Sequence, residues 1–252
     1  MRRWVVAWSV VVALAAAVAS AAPPPLTVFA ASDLAFAFRE IVPKFETAAG
    51  ARVTLVLGST GNLAKQIEHG APADVFFAAD QSFVDELVAK GALIAESRAL
   101  YAQGRLVLAT APGAGAKLTA LSQLREPRIR RVAIANPAHA PYGKAAAGAL
   151  RAAGVWDAVA PKLVYGENIR QALQFVESGA AEAGIVALSI AGVAGIEWVP
   201  IDPALHAPLN QAVAVVRRSA RPELGLAFIQ FVNGPEGRPI MKRYGFALPG
   251  EF

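Results

Sequence analysis

The chain has no cysteine, only three histidines and four tyrosines, and charged residues fill just 17% of its 252 positions. Without cysteine there are no disulfides, no thiol chemistry and no lipidated cysteine behind a leader. His69, His139 and His206 stand apart, with no second His at metal-ligand spacing, which argues against a protein-ligated metal. Positive charge is only in modest excess, net +5. Its densest cluster, Arg128, Arg130 and Arg131, reads as a solvated loop and is too small for a nucleic-acid surface. Beyond the first residues no apolar run approaches the ~20 residues of a membrane span.

Catalytic patterns are missing too. Gly58-Ser59-Thr60-Gly61 lacks the Gly-x-Ser-x-Gly elbow of a serine hydrolase, and neither Ser32 nor Ser59 has an assignable base. Gly143-Lys144 is followed by Ala145 where a phosphate loop needs Ser or Thr, and Ala138 stands where its first Gly belongs. The chain is therefore not expected to be an enzyme, and no cofactor is expected.

The N-terminus, by contrast, is rich in signal. Arg2 and Arg3 precede an apolar run over residues 4–18, and Ala19-Ser20-Ala21 offers a small-x-small cleavage pattern, so residues 1–21 read as a secretory signal. The run is too short for an anchor, and Pro23-Pro24-Pro25 follows it. Export without a lipid anchor fits a Gram-negative periplasm.

About 230 residues remain, enough for one large domain or two small ones. Strand-like and helix-like segments alternate through them. Strands are predicted over 26–31, 53–57, 74–79, 105–109, 131–135, 163–165, 184–188, 197–200 and 212–216. Helices are predicted from 34 to the stop at Gly50, from Leu63 to Gly70, around Phe83 and Leu87, around Leu118, Leu121 and Leu124, and over 142–153, 168–178, 223–232 and 235–243. Pro43 is expected to kink or split the first helix. The Ala/Pro/Gly-rich stretch 110–116 is the best candidate for a crossing between lobes. Such alternation implies α/β architecture, with parallel-dominated sheets flanked by helices.

Five of the strand-to-helix handovers carry small hydroxyl residues or Gly/Pro turns: Phe29 to Leu34, Leu57 to Asn62, Asn136 to Lys144, Gly166 to Arg170 and Gly184 to Ser189. A helix N-terminus presents unpaired N–H groups and about half a positive charge, so a ring of such junctions suits an anion. Ligands in α/β sheets bind beyond the C-terminal strand ends, where all five lie.

Read in order, residues 28–34, 58–63 and above all the stretch Leu63-Ala64-Lys65-Gln66-Ile67-Glu68-His69-Gly70-Ala71-Pro72-Ala73-Asp74-Val75-Phe76-Phe77-Ala78-Ala79-Asp80, then 136–144, 168–173, 184–186 and 242–246 resemble the periplasmic molybdate-binding proteins of ABC importers, the ModA family. The resemblance covers essentially the whole chain after the leader. It implies the two-lobed (type II) binding-protein fold with a cleft between lobes, the first built from 26–104 and 206–252 and the second from 105–205. Molybdate or tungstate would be held there by neutral donors. By position, Ser32 and the Asp33 N–H match the first contact, Thr60 with Ser59 beside it the second, and the backbone N–H groups of Tyr142 and Ile169 the contacts from the second lobe.

Many members add a Tyr hydroxyl where this chain has Ala187, so Tyr142, Ser189 or water is expected to stand in. Asp33 would repel a dianion unless its side chain turns away or meets a cation, with Arg170 the candidate. The implied partners are a membrane permease and a cytoplasmic ATPase, and a monomer is expected. Donor-only geometry rejects a protonated anion such as hydrogen phosphate, because its O–H would face an N–H; sulfate must be rejected by size. A sulfate-binding protein is the main alternative. Ferric iron would need clustered Tyr and carboxylates, and a transcription regulator would carry a helix-turn-helix in place of a leader.

Overall fold

The computed structural model describes residues 24–192 and 194–252; the expected leader, 1–21, lies outside them. The chain runs β1 (Leu26–Ala31), α1 (Ala35–Ala49), β2 (Val53–Gly58), α2 (Thr60–Glu68), β3 (Val75–Ala78), α3 (Gln81–Ala89), β4 (Ala99–Gly104), β5 (Leu106–Thr110), β6 (Val132–Ala135) and α4 (Pro141–Ala152). It continues α5 (Trp156–Val159), β7 (Leu163–Gly166), α6 (Ile169–Glu177), β8 (Ala183–Ala187), α7 (Leu188–Ala191), β9 (Glu197–Pro200), β10 (Leu209–Val215), α8 (Pro222–Asn233) and α9 (Gly237–Arg243).

The strands form two five-stranded sheets, ordered β2-β1-β3-β10-β4 and β7-β6-β8-β5-β9. Each sheet centres a lobe, and both have the same plan. In the first, β1 pairs parallel with β2 and β3, while β10 runs antiparallel to β3 and β4. In the second, β6 is parallel to β7 and β8, while β5 is antiparallel to β8 and β9. Each sheet is thus mixed but dominated by one direction, with four strands running together and only β10 in the first and β5 in the second running against them.

Period-two alternation builds the first lobe's core. Val28, Ala30, Val75 and Phe77 face one layer, with Phe38, Phe45 and Phe228 from α1 and α8; Phe29, Phe76 and Ala78 face the other, with Leu63 and Ile67 of α2. Phe38, Phe77 and Phe228 meet edge-to-face at centroid distances of 5.0 and 5.7 Å. In the second lobe β5, β6 and β8 are buried along their whole length, as strands covered on both faces must be.

Three expectations need correction. Helix α1 is continuous through Pro43. Proline removes only the bond to the Arg39 carbonyl, and both residues lie on the exposed side, where water satisfies it. The Leu118, Leu121 and Leu124 segment forms only a short 3-10 turn, Leu121–Arg125, since a spacing of three is the 3-10 repeat. The chain crosses between lobes at Arg105, between β4 and β5, and again between β9 and β10. Thr110 instead ends β5, and residues 111–116 form the loop that follows, pinned where Thr110 Oγ1 accepts from the Leu118 N–H at 3.0 Å.

Candidate functional site

The lobes meet where β1, β2, β6 and β7 hand over to their helices. A small, tight cavity lies there, walled by Ala31, Ser32, Asp33, Gly58, Ser59 and Thr60 from one side and by Ala140, Pro141, Tyr142 and Ile169 from the other. All six positions singled out in the sequence contribute to this wall. Among the described residues no Lys, Arg or His lines it.

The donors left free are defined by what their neighbours take. Thr60 Oγ1 accepts the Ala79 N–H at 3.0 Å, so its own O–H is free to turn into the cavity. Asn168 caps α6, its Oδ1 accepting from the N–H groups of Arg170 and Gln171 at 3.0 and 3.1 Å, which leaves the Ile169 N–H without a partner. Pro141 opens α4 without a donor of its own, so the Tyr142 N–H is among the first-turn groups that α4 cannot satisfy. Ser32 Oγ reaches Asn168 Oδ1 at 3.2 Å. That oxygen already has two acceptances, so the Ser32 hydroxyl has little to lose by turning to a ligand.

Asp33 is fully buried. Its side chain turns away from any cation, and Oδ2 accepts from Tyr142 Oη at 2.9 Å and from Gln211 Nε2 at 2.7 Å. Desolvation raises its carboxyl from 3.8 to about 6, opposed in part by these two hydrogen bonds. The same burial, aided by the charge on Asp33, pushes the Tyr142 phenol well above its usual value. Arg170 does not serve Asp33: it reaches Glu177 at 3.4 Å and stacks over the Phe36 ring at 4.8 Å.

The candidates to replace the family Tyr are likewise engaged. Ala187 is buried at the end of β8, the Tyr142 hydroxyl is held between Asp33 and Gln211, and Ser189 Oγ donates to the Asp33 carbonyl at 2.8 Å. Neither hydroxyl is a free donor, because closing the lobes buries both against Asp33.

Ser59 also departs from its expected role. Although it caps α2 by position, its hydroxyl lies 2.8 Å from His139 Nδ1. His139 Nε2 lies 3.8 Å from Glu167 Oε2, beyond hydrogen-bond distance, and the imidazole tautomer sets which partner donates in the Ser59–Nδ1 pair. The Ser59 hydroxyl is thereby withdrawn from the cavity.

The sequence reading missed Gln211, the cap Asn168 and the His139 contact. Asn168 carried a legible signal, as Asn directly before an apolar-periodic run is an N-cap. Gln211 carried none, since it meets Asp33 across 178 positions of chain.

Residues 26–247 match the family model of bacterial extracellular solute-binding proteins. The chain is 36% identical over 227 residues to the molybdate-binding protein ModA of Azotobacter vinelandii, covering 86% of this chain and 88% of that one. It is also 36% identical over 232 residues to ModA of Escherichia coli K12, covering 88% and 89%. This chain belongs to the ModA family.

A solved structure of the Azotobacter vinelandii periplasmic molybdate-binding protein superposes with a TM-score of 0.82 at 30% identity, over 89% of this chain and 99% of that one. The sulfate-binding protein SubI of Mycobacterium tuberculosis shares the fold at a TM-score of 0.75 but only 16% identity. The two-lobed solute-binding architecture of the ModA family is thus the architecture seen here.

Proposed function

We propose that this protein captures molybdate, and tungstate alongside it, in the periplasm and delivers it to an ABC importer's membrane permease, driven by a cytoplasmic ATPase. The observation that carries this reading is the uncharged donor set, with the Thr60 O–H and the Ile169 N–H left unpaired by their own neighbours on opposite walls of one small cavity. Ser32 and the backbone N–H groups of Asp33 and Tyr142 complete the set. Charge-assisted hydrogen bonds from such groups suit a tetrahedral dianion, while a protonated anion would oppose its O–H to an N–H. Residues 1–21 act as the export signal, and the chain works as a monomer with no catalytic step.

Delivery follows from closure. Only the closed lobes bring both donor sets to one ion, so the ion favours that state by its differential affinity, and the permease reads the closed form. The two crossings, at Arg105 and between β9 and β10, serve as the hinge. Thermal melts test the ligand: at ~100 times its dissociation constant, molybdate adds about 2.7 kcal/mol of stability. A melt unmoved by molybdate but raised by sulfate would replace this reading with sulfate capture.

A further inference from the structure

We propose that His139 is the latch of the closed cleft, gripping the opposite lobe through Ser59 and Gly61, and that it sets how fast the captured anion leaves. The proposal rests on the anion-capture reading above and adds a positioning residue to it. His139 lies in the β6–α4 connection, held by Asn136, whose carbonyl accepts the His139 N–H at 3.3 Å and whose Oδ1 accepts the Ala138 N–H at 3.0 Å. From that rigid turn the residue reaches across twice. Its carbonyl accepts the Gly61 N–H at 2.9 Å, and its Nδ1 pairs with the Ser59 hydroxyl at 2.8 Å. Glu167, beside its Nε2, in turn accepts from the Asn62 amide of the opposite lobe.

Position in the two sheets gives these bonds their leverage. The hinge runs through β4, β5, β9 and β10, whereas Ser59 and Gly61 follow β2, the far edge of the first sheet, and His139 follows β6, next to the far edge of the second. The contact therefore sits at the mouth, where the lobes separate most on opening. The fit there is close: a Cβ on Gly61 would lie 2.7 Å from the His139 carbonyl oxygen and 3.0 Å from its Cβ. Only glycine permits the approach, although the φ of Gly61 is ordinary.

Bonds made only when the cleft is closed slow opening and leave entry into the open cleft untouched. Removing one hydrogen bond worth about 0.5–1.5 kcal/mol corresponds to roughly 2- to 12-fold faster release. The experiment loads purified protein with radiolabelled molybdate and chases it with unlabelled molybdate, for wild type, Ser59→Ala, His139→Ala, the double variant and His139→Asn. Expected are faster release in each Ala single variant within that range and an association rate within about 2-fold of wild type. The double variant should be no faster than its faster parent, and His139→Asn, whose side-chain amide supplies both a donor and an acceptor in place of Nδ1, should largely restore wild-type release. Unchanged release, or single effects that multiply in the double variant, would overturn the latch.

Should wild type retain no molybdate, the proposed function fails and the latch is judged without ligand. The cysteine-free chain takes spin labels cleanly at Thr54→Cys and Ala180→Cys, both exposed and on opposite lobes. A longer label separation in His139→Ala than in wild type supports the latch, and identical separations reject it.

Discussion

Replacing Asp33 by Asn removes a buried charge and keeps the shape of the side chain. Asp33 is fully buried, and among the described residues no cation is bonded to it and neither its Oδ1 nor the neighbouring Gln211 Oε1 has a hydrogen-bond donor. Burial raises its folded-state value from 3.8 to about 6. The sign follows from proton counts. Below the unfolded value both states hold the proton and no penalty arises. Between the two values the unfolded chain ionises while the folded protein keeps its proton, so stability falls as pH rises. Above about 6 the full penalty stands, about 3 kcal/mol at 1.36 kcal/mol per unit. An amide in its place cannot ionise, so Asp33→Asn should be the more stable protein at pH 7.5 by about that amount, with the difference fading toward pH 4. Urea unfolding of both proteins from pH 4 to 8 reads it. Parallel stability profiles would refute the account of Asp33 as a charge trapped by desolvation.

Other perturbations test the cavity and the frame around it. Thr60→Ala and Ser32→Ala should each weaken molybdate binding by about 1.5–3 kcal/mol, while Ile169→Val should change little because its N–H is the donor; calorimetric titration measures all three. Gly104→Ala places a Cβ 2.1 Å from the Tyr142 hydroxyl oxygen, so small-angle scattering should show a larger radius of gyration than wild type with molybdate present. Phe228→Ala opens a hole among Phe38, Phe45 and Phe77 and should cost about 3–5 kcal/mol in unfolding experiments without altering the cavity.

Much of the site was legible because its physics is local. Ser59 before α2, Asn168 before α6 and Pro141 at the start of α4 are residue types that helix N-termini select, and the unpaired N–H groups follow from the helix itself. What could not be read was decided by contacts distant in sequence. Whether the Ser59 hydroxyl faces an anion or His139, and whether Tyr142 offers its hydroxyl to a ligand or to Asp33, depends on how the lobes close. Composition misled at residues 110–116, where Gly and Pro suggested a crossing. The true crossing needs only Arg105 between two strands, and the Gly104 before it is required by the close approach of Tyr142. Strand β4 escaped notice because Ala, Gln and Gly dilute its apolar pattern.

The central claim, a cavity of neutral donors for one tetrahedral dianion, meets its most direct test in calorimetric titration of the purified protein with molybdate, tungstate, sulfate and phosphate. The account predicts one site per chain for molybdate and tungstate, with sulfate and phosphate weaker by about 100-fold or more, a gap of about 2.7 kcal/mol. Sulfate or phosphate binding as tightly as molybdate, or no heat with molybdate at all, would contradict it.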